Sequence, residues 1–138
     1  MSVPKITLKQ AEKAVKKNHF KISKSGYSKK YVKKADKFER KHGFRYEDAW
    51  NLDHAIACFI LPRLVQLRDT QHGYPAYFEH NYPTEEEAVA AWDNVLNEMI
   101  YGFYIYVTKD GIFWEDEDKI AWDRAKSWLC RFFGSLWD

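Results

Sequence analysis

Between residues 84 and 103 apolar side chains return every three or four positions: Ala88, Ala91 and Trp92, Val95 and Leu96, Met99 and Ile100, then Phe103. At 3.6 residues per turn that series falls on one face, so the stretch predicts a helix with a stripe to bury against other elements. Thr84, with Glu87 three residues on, has the form of a capping box and marks the start. Two further stretches offer matching stripes. FRYEDAWNLDHAIACFILPRLVQLRD carries Leu52, Ile56, Phe59, Ile60, Leu64 and Leu67 at helical spacing, with Asp48 or Asn51 to cap it and Pro62 to kink or split it. The acidic run 115–118 suits a helix N-terminus, and Ile120, Ala121, Ala125, Trp128, Leu129 and Phe132/Phe133 would point inward from the helix it opens, which ends near Gly134.

The remaining stretches are shorter. Thr7 can cap a helix over residues 8–18, with Ala11, Ala14 and Val15 as a thin apolar face. Ser28 can cap a second over 29–41, which His42-Gly43 would end. YIYVTKDGIFWE reads two ways, as the end of the long helix or as a hairpin turning at Asp110-Gly111; its β-prone flanks favour the hairpin. The fold class is therefore mainly α: a single-domain helical bundle with a basic N-terminal helical segment and room for one short β-hairpin. At 138 residues the chain is long enough for a core of its own.

Charge divides the chain. Residues 1–45 hold 15 Lys/Arg against 3 Asp/Glu (Glu12, Asp36 and Glu39), a balance of +12, while residues 46–138 hold 7 against 17, a balance of −10. The basic segment 1–45 can bind an outside polyanion, or it can fold back on the acidic, aromatic-rich 46–138, in the same chain or in a second copy as a homo-oligomer. Lys29, Lys30, Lys33, Lys34, Lys37, Arg40 and Lys41 are the candidate polyanion-binding residues. Tyr27, Tyr31 and Phe38 are interleaved with them, and the seven-residue spacing of Tyr31 and Phe38 favours core packing over base stacking. Lysine outweighs arginine, which favours contact with phosphates over readout of base edges.

The series Tyr46, Glu47, Asp48, Ala49, Trp50, Asn51, Leu52 and Asp53, then Ala57, Pro62-Arg63-Leu64, Gly73-Tyr74-Pro75, Trp92, Leu96, Met99, Phe103 and the closing Leu136-Trp137-Asp138 resembles a group of uncharacterised small proteins encoded by tailed bacteriophages and prophages. The likeness spans about residues 28–138 and carries no catalytic residue. It implies a setting, expression in the cytoplasm of an infected bacterium as an accessory protein. The expected function is non-enzymatic binding of a host macromolecule, of host takeover or anti-defence type; the alternatives are sequence-nonspecific nucleic-acid binding, and a small-molecule or nucleotide binder or enzyme around Trp50, Asp53 and His54.

Sites for chemistry are few. Asp53 shares a helical line with Ala57, Ile60 and Leu64, which would set a carboxylate at the core edge, and with Trp50 and His54 it forms a candidate ligand or partner contact. Trp114 and Trp137, near element ends, are candidate partner anchors. His54 and Cys58 lie four apart, and Glu39 and His42 three apart, but neither pair has the further ligands a zinc or di-iron site needs, so no metal or cofactor is expected. The chain has no GxSxG elbow and no P-loop spacing, and nothing separates Asp93, Glu98, Asp116 and Asp118 from a solvated acidic face. Cys58 and Cys130 both sit among apolar residues and are expected as buried thiols. No apolar run is long enough for a signal peptide or a membrane span.

Overall fold

A computed structural model describes residues 2–137. Among them are six α-helices and no strand: α1 (Leu8–Asn18), α2 (Lys29–His42), α3 (Leu52–Thr70), α4 (Ala76–Asn81), α5 (Glu85–Thr108) and α6 (Asp116–Phe132), with 3-10 turns at Ile22–Lys24, Tyr46–Asn51, Gly111–Phe113 and Phe133–Ser135. The caps act as their chemistry predicts. Thr7 and Gln10 form a reciprocal capping box, the Ser28 hydroxyl accepts from the Tyr31 amide at 3.3 Å, and the Thr84 hydroxyl accepts from the Glu87 amide at 3.1 Å. Gly43 closes α2 at φ +81°, a left-handed conformation that a side chain would strain.

Helix α5 is the axis, packed against α6, α3, α1 and α4. Its predicted stripe is buried, with Leu96, Met99 and Ile100 fully enclosed and Trp92 donating its indole N–H to Gln71 at 2.7 Å. The close approach of α6 depends on Gly102. A Cβ built there would stand 2.2 Å from the Ala125 Cβ and 2.8 Å from the Ala121 carbonyl oxygen. No hairpin forms over 104–114. Tyr104, Ile105, Tyr106 and Val107 continue α5, with Ile105 and Val107 buried, so packing overrides their β-propensity. Asp110 has φ −61° and Gly111 is not at positive φ, whereas a two-residue type I′ turn needs both positive.

Helix α3 buries a different face from the one its spacing suggested. Ala57, Cys58, Leu61, Leu64, Val65 and Arg68 are inside, while Leu52, Ile56 and Phe59 are 56%, 52% and 61% exposed. The helix is apolar on most sides, so periodicity alone does not select the inner one, and the small Ala57 and Cys58 permit the closest approach. The helix runs unbroken through Pro62, braced by Arg63, whose Nη1 donates to the Phe59 carbonyl at 2.8 Å. Neither proposed cap acts on α3: Asn51 makes no side-chain cap bond and Asp48 pairs with His19 at 3.0 Å. On α6, Ile120 faces outward and Cys130 is exposed, and Phe133, in the turn that follows, is exposed as well.

Two charged side chains, Arg68 on α3 and Glu98 on α5, are built into the bundle. Arg68 is 6% exposed; its Nη2 donates to the Ile6 carbonyl at 2.8 Å and its Nη1 to Asn97 at 3.0 Å, tying the N-terminal segment and α5 to the end of α3. Among the described residues no helix is long and apolar enough to cross a membrane.

Replacing Gly102 with Ala tests the α5–α6 contact. The gain in helix propensity is about 1 kcal/mol, but the added methyl must force two helix backbones apart. Gly102→Ala is expected to lose about 1–2 kcal/mol net, read from the midpoint of urea unfolding.

Candidate polyanion-binding surface

Helix α2 stands off the bundle, docked chiefly through the 3-10 turns Ile22–Lys24 and Tyr46–Asn51. Its anchor is a buried carboxylate. Glu47, 1% exposed, accepts from the Ile22 amide at 2.8 Å and from Arg45 Nε at 3.0 Å. Burial pushes its pKa up, but the Ile22 amide and the Arg45 guanidinium outweigh that, and the pKa ends below the ordinary glutamate value. The other end of Arg45 reaches α2, with Nη1 3.2 Å from Asp36 and 3.6 Å from Glu39. One arginine thus takes both acidic residues of α2 and fastens them to the turn below.

The cations of α2 point elsewhere. At 100° per residue Lys29, Lys30, Lys33, Lys34, Lys37, Arg40 and Lys41 fall within an arc of about 140°, with Asp36 and Glu39 outside it. All seven are exposed, and among the described residues none is in an ion pair. Although α2 docks on Tyr46–Asn51, among the described residues its lysines are not neutralised by the acidic part of the chain. Two acidic side chains of that part have local partners: Asp118 binds Lys109 at 2.5 Å, while Glu98, 8% exposed, accepts from the Trp128 indole at 2.6 Å and lies 3.5 Å from Arg124.

Beside the cationic arc runs a strip of rings. Tyr27 stacks on Tyr31 at 5.2 Å; Phe38 meets His42 at 4.2 Å, Phe44 at 5.5 Å and Tyr46 at 5.3 Å; Tyr46 leads on to Trp50 at 5.6 Å. Tyr31 and Phe38 were expected in the main core. They are half-buried in this satellite instead, because α2 does not reach α5. Hydrogen bonding to Tyr31 pushes the Tyr46 hydroxyl up to about 12. Tyr31, Phe38, His42 and Tyr46, with Lys34, Lys37 and Lys41 alongside, line an open pocket of about 470 Å³. Sequence reasoning missed Arg45, His42 and Tyr46 as parts of this surface; the one signal for Tyr46 was its place in the phage-like series.

The other candidates lie apart from it. Asp53 is exposed rather than at the core edge, and its carboxylate accepts from the Tyr106 hydroxyl. That bond lowers the Asp53 pKa and raises that of Tyr106 to about 12. His54 Nε2 donates to the Asn18 carbonyl at 3.0 Å, and Trp114 donates its indole N–H to the Lys109 carbonyl at 2.8 Å. Asp53, His54 and Trp114 share a cleft of about 610 Å³, which Trp50 does not line. Trp50 is 52% exposed within the ring strip, and Trp137, 75% exposed, borders a separate cleft beside Gly73, Tyr74 and Pro75. Asp138 lies outside the described residues. Among the described residues no group of three or more His, Cys, Asp or Glu gathers as metal ligands would. Cys58 is buried, which raises its thiol to about 11 and leaves it a poor nucleophile. Compared with family models, curated proteins and solved structures, the chain matches none.

The anchor has a pH signature. Because the Glu47 pKa is lowered on folding, its stabilising contribution is complete above the ordinary glutamate value and is lost as pH falls through its own lower one. Glu47→Gln should cost the docking of α2 about 2 kcal/mol at neutral pH by leaving Arg45 short of a buried partner. Hydrogen exchange should then speed up in α2 while α5 stays protected; equal protection of α2 in both proteins would show that the pair does not hold it.

Proposed function

We propose that the chain is a non-catalytic binding protein whose α2 face grips the phosphates of nucleic acid without reading base sequence. One observation carries the reading: seven cations share one exposed arc with no ion pair among the described residues, while the two acidic residues of the same helix are drawn off by Arg45. Such a face attracts a polyanion and releases its condensed counterions. Lysine supplies point charges suited to phosphate oxygens, whereas reading base edges favours arginine forks. The reading suits an accessory protein acting on host nucleic acid in an infected bacterium.

A protein partner is the second reading, and a separate observation favours it. Leu52, Ile56 and Phe59 repeat at helical spacing on the outer face of α3, each more than half exposed, with Arg63 lying 3.7 Å from the centre of the Phe59 ring. An inhibitor of a host protein would use such a stripe.

Gel shift and anisotropy at low salt test the first reading. If four or five phosphates are engaged on a duplex, the logarithm of affinity should fall against that of salt with a slope of about −4. Joint replacement of Lys30, Lys33, Lys34 and Lys37 by Glu should abolish the shift while the helical circular dichroism signal stays. No shift at low salt would end the reading.

A further inference from the structure

We propose that the pocket between α2 and the 3-10 turn Tyr46–Asn51 receives an unpaired nucleobase, so that single strands are held by stacking as well as by charge; the proposal rests on the nucleic-acid reading above. The pocket, about 470 Å³, falls within the range of small-molecule sites and exceeds what one base needs. Its walls are the rings of Tyr31, Phe38, His42 and Tyr46. None of these rings belongs to the main core or to the side chains packed against it. Phe38 meets only rings of its own satellite, and His42 is exposed. A flat aromatic ligand would complete this packing, and every base has a face to offer.

The charges fix which flat ligand. Lys34, Lys37 and Lys41 border the same pocket and follow one line of α2 over about 10 Å, far enough to meet more than one phosphate of a strand. Both acidic residues of α2 are on the other side, held by Arg45. The wall offers no acceptor-rich polar set that would choose among bases, so stacking here is indifferent to sequence. A duplex keeps its base faces stacked on one another and can use only the lysines.

Anisotropy with three probes of equal length, about 15 nucleotides, separates the contributions. They are a thymidine strand, an abasic strand with the same phosphates, and a duplex. At one salt concentration the thymidine strand should bind about tenfold more tightly than the abasic one. Phe38→Leu, which keeps apolar bulk but removes the ring, should erase that difference and leave abasic and duplex binding as they were. His42→Ala, at an exposed position, should reduce the ratio at least about threefold and serves if Phe38→Leu fails to fold. Equal binding of thymidine and abasic strands overturns the base pocket, as does an unchanged ratio in a folded variant. Failure of all three probes to bind is a different result and removes the nucleic-acid reading itself.

Discussion

Arg45 is where the charge distribution of this protein is decided. Its side chain lies between a buried carboxylate, Glu47, and the two acidic residues of α2, Asp36 and Glu39. The contact with Glu47 holds the turn that carries α2. The contacts with Asp36 and Glu39 rotate α2 so that its acids face the anchor and its lysines face solvent. A buried ion pair is not in itself strong evidence of stability, because desolvation offsets much of the attraction. Its consequence is orientation: the two carboxylates that would otherwise offset part of the lysine charge are already occupied.

That orientation is costly for α2 as a helix. Lys29 and Lys33, Lys30 and Lys34, Lys33 and Lys37, and Lys37 and Lys41 are like-charged pairs four apart, each opposing the helix by about 0.2–0.5 kcal/mol. Its first turn has no acidic residue and starts with two lysines, against the helix dipole, although Arg40, Lys41 and His42 suit the last turn. Good intrinsic propensity of lysine and the Ser28 and Gly43 caps offset part of this. A sequence selected for stability alone would mix signs on that face, as α6 does with Asp116 and Lys119 or Asp123 and Lys126. Departure from local self-consistency is expected where a surface serves something other than the fold. A bound polyanion would relieve the repulsion, so the field that destabilises the free helix is the one that would drive binding.

Sequence patterns disclosed the parts that depend on neighbours close in the chain. The caps at Thr7 and Ser28 and the stripe of α5 follow from residues a few positions apart and fold as read, while Thr84 caps α5 through its hydroxyl without the reciprocal Glu87 bond of a full capping box. The α3 stripe did not, because a helix apolar on most sides has several admissible inner faces and its partners choose among them. The hairpin reading of 104–114 failed for a related reason: the burial of Ile105 and Val107 is invisible until the helices are placed. The polyanion surface was half legible. Its lysines stand out in composition, but their freedom depends on Arg45, and the rings beside them were assigned to a core that α2 does not reach. The link from Asp53 to Tyr106, 53 residues away, left no local signal at all.

A formal net charge of +2 would suggest a protein with little electrostatic character. Net charge governs interaction only at distances where the charges merge, and in physiological salt the Debye length is about 8 Å. A phosphate approaching α2 responds to the cations nearest it and is screened from carboxylates farther off. Two of those carboxylates are also engaged locally, Asp118 by Lys109 and Glu98 by Trp128 and Arg124. Opposite charges can therefore coexist in one small molecule without cancelling, provided each is fixed on its own element. The rigid α5–α6 pairing fixes the acidic side, and the Arg45 anchor fixes the basic one. Loosening that anchor would free Asp36 to pair with Lys33 or Arg40, three and four positions away on its own helix, and the positive surface would weaken.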